Sequence, residues 1–152
     1  MIEFFSSLNY LAIFVASLSS FVIGALWFGP KTFYPVWMKA MGREVPTERI
    51  EMKAGETLLM FGGTYVGALV QIVSLALIMA MAEAADVMVS ALDGAIFGLV
   101  FSVGIGAFSS FGHRMFAAAD HKVYRSLKVW ILEVGQDAAA LVVAGAILAA
   151  WH

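Results

Sequence analysis

The chain has 152 residues, 62% of them hydrophobic, with 9 Lys and Arg against 11 Asp and Glu, and no Cys. Soluble domains are no more than about half apolar, so no water-soluble fold of this size hides so much apolar surface, and lipid has to cover part of it. A net charge of −2 is too small for a nucleic-acid-binding surface, and the lack of Cys excludes disulfides, thiolate metal sites and cysteine nucleophiles.

A helix needs about 20 apolar residues to cross the hydrocarbon core of a bilayer. Segments 8–28, 57–82, 94–111 and 127–151 meet or approach that length. They predict an all-α polytopic membrane protein, a single transmembrane domain over 1–152 with four transmembrane helices. The first segment has no basic n-region, carries Glu3 and runs to Gly29-Pro30 without a small-x-small cleavage site, so it is expected to be a retained helix and not a signal peptide. Its end, Trp27-Phe28-Gly29-Pro30, puts aromatics at headgroup level and a helix stop behind them. Pro35 then opens Val36 to Met41, closed by Gly42. That stretch mixes large apolar residues with Lys39 and is expected to lie in the membrane interface.

Pro46-Thr47 begins a polar helical turn, Glu48 to Lys53, that runs into the second segment. Glu44, Glu48, Glu51 and Glu56 offset the basic residues there, the pattern of a solvated face. The second segment contains Gly62-Gly63 and Gly67, and the connection from Glu83 to Asp93 is short and acidic. The third is rich in small residues, residues 112–126 read as a partly helical amphipathic loop, and Trp151 anchors the far end of the fourth.

Every basic residue falls in one of two loops. Lys31, Lys39, Arg43, Arg49 and Lys53 lie between the first and second segments, and Arg114, Lys122, Arg125 and Lys128 between the third and fourth. This is the positive-inside pattern. It predicts both loops in the cytoplasm and both termini outside, the periplasmic side of a bacterial inner membrane. Phe28-Gly29-Pro30-Lys31-Thr32-Phe33 and Phe111-Gly112-His113-Arg114-Met115-Phe116 form a faint repeat at equivalent exits. It suggests two similarly oriented helical hairpins related by an axis along the membrane normal.

Ala12, Ala16, Ser20 and Gly24 recur every four residues in the first helix, as do Gly94, Gly98, Ser102, Gly106 and Ser110 in the third. A spacing of four keeps each set on one face, and in lipid such faces let backbones approach closely. Bundle packing, a subunit contact and a glycine-lined conduit are the alternatives.

The fourth segment carries Glu133, Gln136 and Asp137. If it enters the bilayer near Lys128, Asp137 lies about 13 Å deep at 1.5 Å per residue, close to the middle of a core of about 30 Å. An acid there costs about 2.5–3.5 kcal/mol even on the mildest insertion scale. Gln71 and Ser74 of the second segment, Ser102 of the third and Ser17 and Ser20 of the first lie at similar depth. Together they predict a polar layer across the bundle. One reading is a proton- or cation-handling site centred on Asp137, helped by Glu133, Gln136, Gln71 and Ser102. The other is a structural hydrogen-bond network.

Nearer the basic side, His113, Asp120 and His121 stand among cations. Their spacing fits no metal motif, and no metal or cofactor is expected. Arg114, Lys122, Arg125 and Lys128 are better placed to meet anionic lipid headgroups. No Gly-x-Ser-x-Gly, His-Glu-x-x-His or phosphate loop is present, and no catalytic residues are assigned.

Asn9-Tyr10-Leu11-Ala12, Ile23-Gly24-Ala25-Leu26-Trp27-Phe28-Gly29-Pro30 and Trp37-Met38-Lys39-Ala40-Met41-Gly42, with Arg125-Ser126-Leu127-Lys128 and Gly145-Ala146-Ile147-Leu148 near the end, resemble the bacterial membrane family catalogued as domain of unknown function 1761. The resemblance covers nearly the whole chain. It implies a four-helix membrane protein and brings no activity and no catalytic residues with it. The functional expectation is a small oligomeric channel or transporter handling protons, cations or a small solute. The alternative is a non-catalytic structural or accessory subunit of a larger membrane complex. The expected partners are membrane lipids and either further copies of the chain or another membrane subunit, with no nucleic acid.

Overall fold

The computed structural model describes residues 2–46, 52–87, 90–117 and 123–151. They form α1 (Ile2–Ser7), α2 (Tyr10–Trp27), α3 (Tyr34–Ala40), α4 (Ala54–Ala84), α5 (Ala91–Phe116) and α6 (Val123–Ala150). No strand occurs among the described residues. Helices α2, α4, α5 and α6 are long and apolar enough to cross a membrane, and at most 28% of the hydrophobic window of any of them is buried within the chain. Most of each helix surface is therefore left for lipid or a further membrane protein to cover, and the protein is a four-helix membrane protein.

The helix ends follow from local chemistry. Asn9 caps α2 by accepting from the Ala12 amide at 3.0 Å, and its Nδ2 donates to the Trp151 carbonyl at 3.0 Å, joining the start of α2 to the end of α6. At the other end of α2 the Phe28 and Gly29 amides bond back to Gly24 and Leu26, and the Thr32 hydroxyl donates into the last carbonyls, 2.6 Å from Leu26 O. Pro35 lies in the first turn of α3, and Gly42 follows its end at φ 75, where a side chain would be strained. Ser90 and Asp93 form a reciprocal capping box at the start of α5.

Helix α6 is the hub. It packs against α5 on one side and α2 on the other, and touches α3 and α4, while α4 leans on α2. The α5–α6 crossing brings backbone onto backbone. A Cβ at Gly94 would overlap the Gly145 carbonyl, one at Gly98 the Leu141 carbonyl, and one at Gly145 the Gly94 carbonyl. Only glycine permits that approach. Ala12 and Ala16 of α2 are fully buried in a core with Leu141, Ala144 and Leu148 of α6 and Ile72, Leu75, Ala76 and Met79 of α4. Both small-residue stripes are thus used inside the chain.

The α5 stripe is shorter than its sequence spacing suggests. A π turn spans Ser102–Ala107 and inserts an extra residue, so the buried face runs Gly94, Gly98, Ser102 and then Ala107. Gly106 is left facing open space. The sequence repeat has no common conformation. Its first copy leaves α2 through a turn, whereas its second is helical, because α5 continues through Gly112 to Phe116.

The core lies toward the end of the bundle that holds Asn9 and Trp151. All buried residues of α4 fall between Ile72 and Met79, and none lies between Ala54 and Gln71. Toward the basic end α4 has no buried residue, although Tyr65 still meets Ser17 and Phe21 of α2, and a cavity opens between α2, α4 and α6.

Candidate functional site

The cavity has a volume of about 420 Å³ and is walled by α2, α4 and α6. Glycines leave room for it. A Cβ on Gly67 of α4 would meet no atom within 4 Å, and one on Gly24 of α2 would stand 3.5 Å from Gln136 Nε2. A π turn at Leu58–Gly62 carries Met60 and Phe61 into its wall, and the Thr64 hydroxyl donates to the Met60 carbonyl at 2.6 Å.

Five polar side chains line it: Ser20 from α2, Thr64 and Gln71 from α4, and Gln136 and Asp137 from α6. Phe21, Phe28, Met60 and Phe61 supply much of the apolar wall, and no Lys, Arg or His is among the lining residues. Ser20 is 5% exposed, and its Oγ has no hydrogen-bond partner. A buried polar atom without a protein partner is uncommon, and this one is open to a water or ligand in the cavity. Asp137 is half-buried, and the nearest charge acting on it is Glu133, one turn away.

Glu133 lies outside this cavity. Arg114 Nη2 donates to its Oε1 and Oε2 at 2.6 and 2.5 Å, and Trp37 Nε1 donates to Oε1 at 3.1 Å. One carboxylate thereby joins α3, α5 and α6. The Trp37 ring also packs on Phe28, with centroids 5.4 Å apart, and Phe28 is part of the cavity wall. Two further indoles fix the same end of the bundle. Trp27 Nε1 donates to the Leu132 carbonyl at 3.0 Å, with Gly135 leaving room for its ring, and Trp130 Nε1 donates to the Ala107 carbonyl at 3.0 Å.

The fold thus gathers Asp137, Gln136 and Gln71, and sets Glu133 and Ser102 apart. Ser102 is buried on α5 and donates to the Leu99 carbonyl at 3.2 Å. Ser74 and Ser17 are likewise spent on carbonyls of their own helices, and Ser17 also meets the Tyr65 hydroxyl at 2.9 Å. The single layer expected across all four helices is instead a three-helix cavity. Of the headgroup candidates, Arg114 is drawn inward by Glu133, Arg125 lies beside Gly42, and Lys128 is exposed. Lys122, Asp120 and His121, and the turn from Thr47 to Glu51, lie outside the described residues.

Sequence reasoning passed over Thr64 and the Trp37–Glu133 link. Thr64, Gly67 and Gln71 recur at helical spacing on one face of α4, a signal that was available. Nothing in the sequence pairs Trp37 with a residue 96 positions away.

The chain belongs to the family described as protein of unknown function DUF1761, whose model matches residues 11–149. No curated protein and no solved structure matches it.

Proposed function

We propose that this DUF1761 chain is a small channel or transporter whose α2–α4–α6 cavity takes up protons, cations or a small solute, with Asp137 as the residue that meets the cargo. The supporting observation is an acid in the membrane-spanning part of α6, facing a cavity of about 420 Å³ with two carboxamides and a partnerless hydroxyl but no basic residue. An acid at membrane depth is costly and marks an ion or substrate path by default. The orientation that goes with this reading has the basic loops in the cytoplasm and both termini in the periplasm of a bacterial inner membrane. The cavity then opens toward the cytoplasmic half.

The test is flux into proteoliposomes followed with a pH-sensitive dye under proton and cation gradients. Asp137→Asn keeps the shape and a hydrogen-bonding group but cannot exchange a proton or hold a charge. It is expected to abolish flux that the wild type supports.

A second reading is favoured by the unpacked first half of α4, where Leu58 and Leu59 are 73% and 78% exposed and Gln71 is exposed as well. In that reading the chain is an accessory subunit, and a further copy or another membrane protein covers this face. No flux for either protein would support it over transport, and equal flux for both would take Asp137 out of the path.

A further inference from the structure

We infer that the α2–α4–α6 cavity binds a monovalent organic cation with an apolar body, an aryl- or alkyl-ammonium, through the Asp137 carboxylate and the rings of Phe21, Phe28 and Phe61. This rests on the transport reading of the cavity and names its substrate class.

Charge narrows the ligand first. The wall carries one carboxylate and no Lys, Arg or His, so an anion has nothing to pair with. A neutral solute gains nothing from an ionised Asp137, whereas a cation pairs with it and favours its charged form.

Size and chemistry then separate organic from inorganic cations. A hard divalent cation such as calcium asks for six to eight oxygens at about 2.3–2.6 Å. Here the side-chain oxygens are spread over three helices around some 420 Å³. A proton alone needs no such space. A volume of this order is that of a small-molecule pocket, with a mostly apolar wall and a few polar groups to fix orientation. Aromatic faces attract organic ammonium groups through their quadrupoles and also pack against an apolar body. Gln71, Gln136 and the Ser20 hydroxyl remain to bind polar substituents.

The opening fits an amphiphile. Phe21, Met60 and Phe61 line the cavity and are 37%, 50% and 48% exposed, so the chain does not close over that side of it. The cavity thus opens laterally toward the lipid, where ammonium compounds with apolar bodies concentrate.

The test is calorimetric titration of the purified full-length chain in detergent with three probes. Benzyltrimethylammonium should bind saturably. Tetramethylammonium, the same head without the ring, should bind at least about tenfold more weakly, and benzenesulfonate should not bind. Asp137→Asn should weaken benzyltrimethylammonium by at least about tenfold. Gly67→Leu is the second variant, because its side chain grows into space that no atom occupies within 4 Å of the new Cβ. It should abolish binding while leaving the thermal midpoint nearly unchanged, and it decides the matter if Asp137→Asn does not fold. Equal affinity for the two ammonium probes, comparable binding of benzenesulfonate, or undiminished binding in Gly67→Leu would overturn the inference. Asp137-dependent proton or Na⁺ flux without benzyltrimethylammonium binding would sink the inference and leave the transport reading standing. Binding without any flux would do the reverse.

Discussion

Glu133 and Asp137 are one helical turn apart on α6, yet their surroundings give them different work. Glu133 is held by the Arg114 guanidinium and the Trp37 indole, with its side chain 28% exposed and that of Arg114 38% exposed. It is a structural acid whose charge is matched. Asp137 meets a cavity and no cation. Removing one member of a matched pair costs most when the other is left charged in poor solvent. Glu133→Gln keeps a carbonyl acceptor for Arg114 and Trp37 whereas Arg114→Met leaves the carboxylate with Trp37 alone, so Arg114→Met should lower the thermal midpoint in detergent more, and a double-mutant cycle over the two should give a coupling of about 1–2 kcal/mol, trimmed by the partial exposure of both groups. Losses that simply add would mean the pair contributes nothing.

Among the elements, α5 and α6 depend on glycine far more narrowly than the sequence stripe implies. Gly98 lies against the Leu141 carbonyl, whereas Gly106 faces open space. Gly98→Ala should destabilise by about 2–3 kcal/mol or more, because backbone has to shift at a crossing with no slack. Gly106→Ala should stay within about 0.5 kcal/mol. Thermal melts of the two variants check this directly, and similar losses in both would mean that the α5 face is used as one continuous strip. The contrast shows where periodicity stops being informative. Four apolar segments and the approximate depth of Asp137 can be read by counting, because length and rise per residue fix them. The π turn at Ser102–Ala107 cannot, because an assumed regular helix carries the stripe straight on to Gly106 and Ser110. Arg114 looked like a headgroup ligand because Phe-Gly seemed to end the helix. Instead α5 continues to Phe116 and delivers the guanidinium to α6. The cavity itself depends on how the first half of α4 is set against α2 and α6, a tertiary property that no single segment encodes.

For the whole molecule, the two ends of the bundle are chemically distinct. The start of α2 and the end of α6 are tied by Asn9 and Trp151, and Glu83, Asp86 and Asp93 lie in or beside the α4–α5 connection. Lys31, Lys39 and Arg43 follow α2, Lys53 precedes α4, and Arg114, Arg125 and Lys128 lie where α5 passes to α6. With α2, α4, α5 and α6 crossing in succession, these basic positions share one side of the bilayer and both termini share the other. In the orientation proposed above, the excess of Lys and Arg puts the basic side in the cytoplasm. The chain has no Cys, so single cysteines can be placed without background. Ser6 and Ser90 are exposed at the terminal end and Glu44 is exposed at the basic end. In intact cells a membrane-impermeant maleimide should label Ser6→Cys and Ser90→Cys and spare Glu44→Cys until the membrane is permeabilised. The reverse pattern would invert the orientation and turn the Asp137 cavity toward the outside. Labelling of both ends without permeabilisation, in a population that resists separation, would mean that the chain inserts both ways, and the basic loops would then have lost their hold on topology.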